Sequence, residues 1–166
     1  MIREVEGDIL LSQADIIAHG VAPSDHFESG LALALRERFP AMAKDFRHYC
    51  QQNHPKAGEI WAWAGAKPEG GSTRIVNLLT QEPSEAAGGK PGKASLLNVN
   101  HALKALAQLI GQEKPKSVAL PKLATGVGGL DWADVRPLIE KHLGGLDVTV
   151  ILYTTYHKGV AAKEAL

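Results

Sequence analysis

Two glycine-bearing stretches hold the residue types best suited to chemistry. The first runs His19-Gly20-Val21-Ala22-Pro23-Ser24-Asp25-His26-Phe27-Glu28-Ser29-Gly30 and enters a helical pattern at Leu31. A glycine before a helix leaves backbone N–H groups free to face an anion, with the helix dipole in support. The same residues also serve as plain helix entry, with Ser29 as N-cap. The second stretch is Ala124-Thr125-Gly126-Val127-Gly128-Gly129-Leu130-Asp131-Trp132. Its three glycines in four residues, between a strand pattern and a helix pattern, read as a nest of backbone donors around phosphate or as a tight turn. It is neither a Walker loop nor a GxGxxG fingerprint, because the spacing and the Lys-Ser/Thr ending are absent. Together the two stretches favour a phosphorylated ligand.

Among single side chains, His19 ends an apolar run. Imidazole titrates near neutrality, so His19 is a candidate to move a proton in phosphate-ester hydrolysis; a buried histidine bonded to backbone is the alternative. Asp131 can N-cap the helix that starts at Trp132. The spacing of His26, His48, His54 and His101 matches no metal template, so neither a metal nor a cofactor is expected. Cys50 is the only cysteine, which excludes an internal disulfide, and it reads as a small apolar side chain rather than a nucleophile.

Strand-like and helix-like segments alternate to position these loops. Ile2–Val5 and the Ile-rich Ala14–Val21 read as strands, the second buried on both faces. Leu31, Ala34, Leu35 and Phe39 follow helical spacing. Pro40 interrupts it, and helix resumes over Ala41–Gln52. Glu59–Ala64 alternates Ile and Ala against Trp61 and Trp63, and with Arg74–Leu79 it suggests a hairpin across a turn at Pro68–Gly71. Pro83–Lys93 is a loop. Val99, Ala102, Leu103, Leu106, Leu109 and Ile110 mark an amphipathic helix with Pro115 beyond its end. Ser117–Leu120 is a buried strand. Val135, Leu138, Ile139 and His142 give a helix stopped at Gly144-Gly145, and Val148–Tyr153 is the last strand. Continuous apolar strands alternating with helices predict a three-layer α/β/α sandwich around a mixed sheet. Ligands of such sheets sit beyond the carboxyl ends of the strands, which points to the loops after Val21, Leu79, Leu120 and Tyr153.

The totals bound the rest. At 166 residues the chain fits one domain, 1–166, with a sizeable core. Lys and Arg number 18, as do Asp and Glu, so the balance carries no overall electrostatic footprint for nucleic acid or an anionic membrane. The acidic start Met1-Ile2-Arg3-Glu4-Val5-Glu6 does not read as a signal peptide, and no apolar run approaches the ~20 residues of a membrane span. A cytoplasmic protein is expected.

Four segments in order resemble the macrodomain family: Gly7-Asp8-Ile9-Leu10, Ala14-Asp15-Ile16-Ile17-Ala18-His19-Gly20, Ser29-Gly30-Leu31-Ala32, and the glycine loop ending Gly129-Leu130-Asp131-Trp132. The match extends over nearly the whole chain. It is nearest the branch that processes ADP-ribose-1″-phosphate, with relatives among terminal ADP-ribose glycohydrolases and DNA-de-ADP-ribosylating antitoxins. The resemblance implies that Asp8 holds the adenine amino group and Ile9 flanks the base, although Asp8 also reads as a turn acid. Ser29, Gly30 and Leu31 would contact the distal ribose and diphosphate; Thr125, Gly126, Val127 and Gly128 would wrap the diphosphate. His19 takes the place of a histidine implicated in turnover, and Asp131 that of an acid that positions or activates water.

The sequence departs from the family at two places. Its first loop, Val21–Glu28, is bulkier and more acidic than the usual asparagine and small residues. The glycohydrolase branch carries a nucleophilic lysine after the strand ending at Leu79, where this chain has Gln81. Glutamine cannot attack C1″, so a covalent lysine mechanism is not expected. The resemblance therefore implies hydrolysis of ADP-ribose-1″-phosphate or a related derivative, with His19 and Asp131 as catalytic residues. Binding of ADP-ribose without turnover, and removal of ADP-ribose from protein or nucleic acid, are the alternatives that use the same pocket.

Overall fold

The computed structural model describes residues 1–86 and 89–166; two positions of the expected Pro83–Lys93 loop, Ala87 and Gly88, lie outside the described residues. Six strands form one sheet: β1 (Ile2–Gly7), β2 (Ile16–Val21), β3 (Ile60–Ala66), β4 (Ser72–Leu79), β5 (Ser117–Pro121) and β6 (Thr149–Tyr156). The strand order is β1-β6-β5-β2-β4-β3. All neighbours run parallel except β3 and β4, which form the expected antiparallel hairpin. Helices α1 (Gly30–Arg38), α2 (Pro40–Asn53), α3 (Leu96–Glu113) and α4 (Trp132–Leu143) complete the fold.

The side-chain period of two decides which layer each helix joins. Ile16 and Ala18 of β2, Val76 and Leu78 of β4, and Val118 and Leu120 of β5 pack with Val99, Leu103 and Leu106 of α3 and Val135 and Ile139 of α4. On the opposite face Val21, Ile75 and Leu79 meet Leu35 of α1 and Met42 and Phe46 of α2. Trp61 and Trp63 lie on that second face, and Ile60 and Ala62 on the first, as the alternation requires. The result is the expected three-layer α/β/α sandwich with a mixed sheet. Pro40 does not leave a gap between two helices. It occupies the first position of α2, where its missing N–H is not needed. Cys50 is buried among the α1/α2 residues, and burial pushes its thiol pKa up, which disfavours the thiolate.

The chain after β6 folds back over the start of the chain. Glu164 is buried; its carboxylate accepts from the Ser12 hydroxyl (2.6 Å), the Gln13 N–H (2.8 Å) and the Tyr153 hydroxyl (2.7 Å). Arg3 donates to the carbonyls of Glu164 and Ala165. No helix among the described residues is long and apolar enough to cross a membrane.

Removing a buried carboxylate strands the donors it satisfied. Glu164→Ala is expected to lower unfolding free energy by about 2–4 kcal/mol. Urea denaturation followed by circular dichroism measures this, and an unchanged midpoint would show that the returning segment contributes nothing to stability.

Candidate functional site

The sheet opens between β2 and β5. Their ladder pairs only Ile16 with Val118 and Ile17 with Ala119. Beyond that point β2 stays paired with β4 as far as Val21–Leu79, and β5 with β6 as far as Pro121–Tyr153. The chain leaving β2 turns to α1 on one face, and the chain leaving β5 to α4 on the other. Adjacent strands whose connections diverge leave a crevice at their carboxyl ends. Here it is a cleft of about 750 Å³.

The first loop crosses one wall. Asp25 organises it: its carboxylate accepts the N–H groups of Ala22 (3.0 Å) and Phe27 (2.8 Å). Phe27, at φ 55°, turns into the core and stacks on Phe46 at 5.5 Å. The bulk that marks this loop in sequence is thus an anchor in the α1/α2 layer, not an obstruction. Ser29 occupies the N-cap position of α1 but makes no side-chain cap hydrogen bond. Gly30 follows at φ 59°, a left-handed conformation that a side chain would strain, although space around it is open. The N–H groups of Gly30, Leu31 and Ala32 have no partner within the helix, as at any helix start.

The second loop forms the facing wall. Ala124 takes φ 62°, and its carbonyl accepts from Leu130 (3.1 Å), while Gly126 accepts from Gly129 (3.1 Å). The Gly128 carbonyl accepts from Ala94. A Cβ on Gly128 would lie 2.6 Å from the Ala124 oxygen and 2.9 Å from the Ala94 Cβ, so no larger residue fits. Ser29, Gly30 and Leu31 on one side and Thr125, Gly126, Val127 and Gly128 on the other all line the cleft.

His19 lies at its floor, 1% exposed. Its Nε2–H donates to the Oδ1 of Asn77 (2.7 Å), the residue paired with it in register on β4, and the Asn77 amide reaches Met42 of α2. Burial lowers the imidazole pKa to about 4, against a smaller upward pull from Asn77. Burial thus favours the neutral ring at pH 7 and moves its titration well below the neutral range expected from the sequence. Its hydrogen-bond partner is a side chain rather than backbone.

Three expected site residues do not line the cleft. Asp131 is exposed at the N-cap position of α4, without a side-chain cap bond; its carbonyl accepts from Asp134 and Val135. Ile9 is in the core. Asp8 is 5% exposed, not an open turn residue. Its carboxylate accepts the N–H groups of Leu10 (3.0 Å) and Gly159 (2.9 Å). Tyr156, at the cleft edge, nevertheless feels the Asp8 charge, which helps raise its phenol pKa after the larger effect of burial. Polar side chains given no role in the sequence reading also line the cleft, Lys90, Lys122, Tyr153 and Tyr156 among them. Lys90 and Lys122 sit after strands already singled out as ligand edges, and Tyr153 and Tyr156 in the second half of β6, but periodicity does not say which of these residues turns inward. Gln81 is also in the wall; its Nε2 donates to the Gly92 carbonyl (3.1 Å) and so holds the loop after β4. Among the described residues no group of three or more His, Cys, Asp or Glu side chains gathers to hold a metal.

The Macro domain family matches residues 18–139. The chain belongs to the macrodomain family. It is 27% identical over 154 residues to a DNA ADP-ribosyl glycohydrolase of Mycobacterium tuberculosis, covering 92% of this chain and 42% of that one. The chain thus spans about two-fifths of the length of that relative. An ADP-ribose 1″-phosphate phosphatase of Lodderomyces elongisporus is 22% identical over 158 residues, covering 90% of this chain and 96% of that one. Among solved structures, the macrodomain of Thermus aquaticus DarG superposes with a TM-score of 0.80 at 26% identity, covering 93% and 98% of the two chains.

Two outcomes test this geometry. Asp8→Ala leaves two N–H groups without their acceptor, so it should lower stability by about 1–3 kcal/mol. Asp8→Asn keeps one acceptor oxygen and should lose less; equal midpoints for both variants and wild type in thermal melts would show that Asp8 carries no structural load. For His19, the unfolded imidazole binds protons below about pH 6.5, whereas the folded one does so only near 4, so stability should fall as pH drops through that window. The loss is of order 3 kcal/mol and levels off only below the folded value of about 4. Denaturation of wild type and His19→Gln at pH 7, 5.5 and 4.5 should show a steeper decline in wild type, and parallel curves would refute the assignment.

Proposed function

We propose that this macrodomain binds an ADP-ribose group in the cleft and hydrolyses a bond at its distal ribose. The carrying observation is the pair of backbone donor sets, at the start of α1 and in the 124–129 loop, lining one cleft at the point where the sheet opens. A diphosphate fits between them, because fixed N–H groups supply directed bonds without flexible charges. Lys90 and Lys122, also in the wall, add positive charge. Adenine would extend toward Tyr156 and Asp8, whose carboxylate oxygens each keep a lone pair beyond their backbone bond. The distal ribose would lie toward His19 and the first loop.

The nature of His19 shapes the chemistry. With Nε2–H committed to Asn77, its Nδ1 is an acceptor. A neutral imidazole of low basicity orients a water or a ribose hydroxyl rather than carrying a proton through neutrality. Water is the nucleophile in this reading, since Gln81 offers no amine. Its oxygen adds at the distal phosphorus or at C1″, the leaving group departs with the bonding pair, and the water gives up a proton to solvent. ADP-ribose-1″-phosphate is the first substrate. Release of ADP-ribose from a macromolecule is the second, favoured by the named activity of the mycobacterial relative. Asp131 would act only from the end of α4, outside the cleft wall.

The test is a turnover panel of ADP-ribose-1″-phosphate, O-acetyl-ADP-ribose, and ADP-ribosylated protein and DNA, alongside calorimetry with free ADP-ribose. Binding should raise the melting temperature. His19→Ala should lower turnover by ~10–100-fold with ADP-ribose affinity nearly unchanged, and wild-type rates should show no His19 titration between pH 5.5 and 8. Asp131→Ala should fall by no more than about threefold, since a group outside the cleft supplies little of the general acid–base term. Tight binding without turnover would make the chain a binding module; no heat and no thermal shift at millimolar ligand would end both readings. Gln81→Lys tests whether a missing amine alone separates this cleft from a covalent glycohydrolase.

A further inference from the structure

A carboxylate withdrawn from water is stable only where donors meet it. Glu164 is such a group, and its donors come from two places: Ser12 and Gln13 near the start of the chain, and Tyr153 on β6. Tyr153 joins that cluster to the cleft. Its phenol donates to Glu164 at 2.7 Å, while the residue is part of the cleft wall. Its side chain packs with Ile9 and Ile17 and against Leu31 of α1, which lines the same cleft. Burial, and then the bond to Glu164, hold the phenol pKa well above its ordinary value, so the hydroxyl remains a donor.

The segment that carries Glu164, from His157 onward, contains no helix or strand. Hydrogen bonds to the end of β1 hold it. The His157 N–H donates to the Gly7 carbonyl (3.1 Å), the Asp8 N–H to the Val160 carbonyl (2.7 Å), and the Gly159 N–H to Asp8 Oδ2 (2.9 Å). Gly159 turns at φ 74°, a conformation glycine adopts without strain. A Cβ on Gly7 would lie 2.8 Å from the Val160 oxygen and 2.9 Å from the Ala162 Cβ, so the segment and β1 touch closely. An irregular segment with few backbone bonds opens at lower free energy than a sheet or a helix. Its exposed side chains include Lys158 and Lys163, and its buried carboxylate is the anchor.

We propose that Glu164 is a positioning residue for the base-binding end of the cleft: it docks residues 157–164 as a strap, and the docked strap and the base of the ligand stabilise one another. This rests on the ADP-ribose reading of the cleft, which sets adenine against Tyr156 and Asp8. A base held there bears on the strap at two points. Asp8 is gripped by the strap through both its N–H and its carboxylate, and Tyr156 is the residue directly before it. Tyr153 gives Glu164 a further route to the same wall. Opening of the strap releases Asp8 and Tyr153 from these bonds, and a base then has to order them again. Such coupling is reciprocal: whatever the strap adds to ligand affinity, the ligand adds to strap docking.

Limited trypsin digestion reads strap opening, because cleavage between Lys158 and Gly159 requires the Gly159 N–H to leave Asp8. Intact-mass spectrometry follows the first cuts after Lys158 and Lys163, with Lys44 of α2 and Lys104 of α3 as references for opening of the whole fold. In free wild type the strap sites should be cut faster than the helix sites. Saturating ADP-ribose should slow the strap cuts by at least about fivefold, the low end of ordinary coupling. ADP, which carries the base and diphosphate without the distal ribose, should protect equally at matched occupancy. Glu164→Ala should speed the strap cuts and weaken ADP-ribose binding by at least about fivefold, and Glu164→Gln, which keeps an acceptor oxygen, should fall between it and wild type. Tyr153→Phe keeps the ring in the wall and removes only the phenol bond, so it should shift both readouts the same way and serves should the alanine variant fail to fold. The inference is overturned if the strap is cut no faster than the helices, if ADP-ribose leaves strap cleavage unchanged, if ADP gives no protection, or if the variants bind ADP-ribose as wild type does. Should calorimetry show no ADP-ribose binding to wild type, the cleft reading falls and this inference with it; binding without strap protection removes this inference alone.

Discussion

Only two residue pairs join β2 to β5, Ile16–Val118 and Ile17–Ala119, yet each strand continues, paired on its outer side, to its own carboxyl end. Opposite exits force this opening, since one chain must reach α1 on one face and the other α4 on the opposite face. The rest of the site depends on it. The opening gives His19 and Gly20 access to a cleft from the middle of an otherwise closed sheet. It also sets the start of α1 and the 124–129 loop against one ligand. Each donor set is weak by itself, because free N–H groups occur at every helix start. Two sets facing one another across one crevice would suit an elongated anion better than either set alone.

His19 shows the cost of building a polar floor into such a sheet. Its neighbours in sequence are core residues, and full burial favours the neutral ring. Asn77 satisfies the one N–H that the ring then carries, and does so because the β2–β4 register sets the two residues side by side. An imidazole kept neutral by burial has one donor and one acceptor nitrogen across the neutral range. That makes it suited to recognising a hydroxyl or a water and unsuited to shuttling protons. The same register carries the constraint further out, through Asn77 to Met42 and the α2 layer.

Much of this was legible in the sequence, for reasons that differ by element. The strands and helices follow periods of two and 3.6 that burial enforces, so the three layers and the β3–β4 hairpin could be read directly. The two glycine loops were also legible, because a left-handed Gly30 and a Gly128 pressed against Ala124 tolerate little else. Side-chain direction in loops was not. Phe27 looked like bulk in a binding loop and is a core anchor; Asp8 looked like an exposed turn and is buried against Leu10 and Gly159, a residue 151 positions away in the chain. The inward placement of Lys90, Lys122 and Tyr156, and the outward placement of Asp131, likewise follow from tertiary turns that no short-range pattern encodes. The shift of His19 depends on how completely three layers cover it, a property of the assembled fold.

Gln81 ties the fold to the choice of chemistry. Its backbone N–H bonds to the Val21 carbonyl, continuing the β2–β4 edge past the end of the ladder, and its side-chain amide donates to Gly92. Across the same loop the Gly92 N–H donates to the Glu82 carbonyl and the Glu82 N–H to the Lys93 carbonyl. Gln81 therefore closes the base of the loop that brings Lys90 to the cleft wall and Ser84 to a second, adjoining cavity. A lysine here could donate to the same carbonyl, but an ammonium held that way is protonated and directed away from a ribose carbon, so it could not serve as clamp and nucleophile at once. With glutamine the position is free of that conflict, and its side chain holds the loop by the bond to Gly92. The loop at the place where the glycohydrolase branch carries its lysine thus lines both the cleft, through Lys90, and the adjoining cavity, through Ser84.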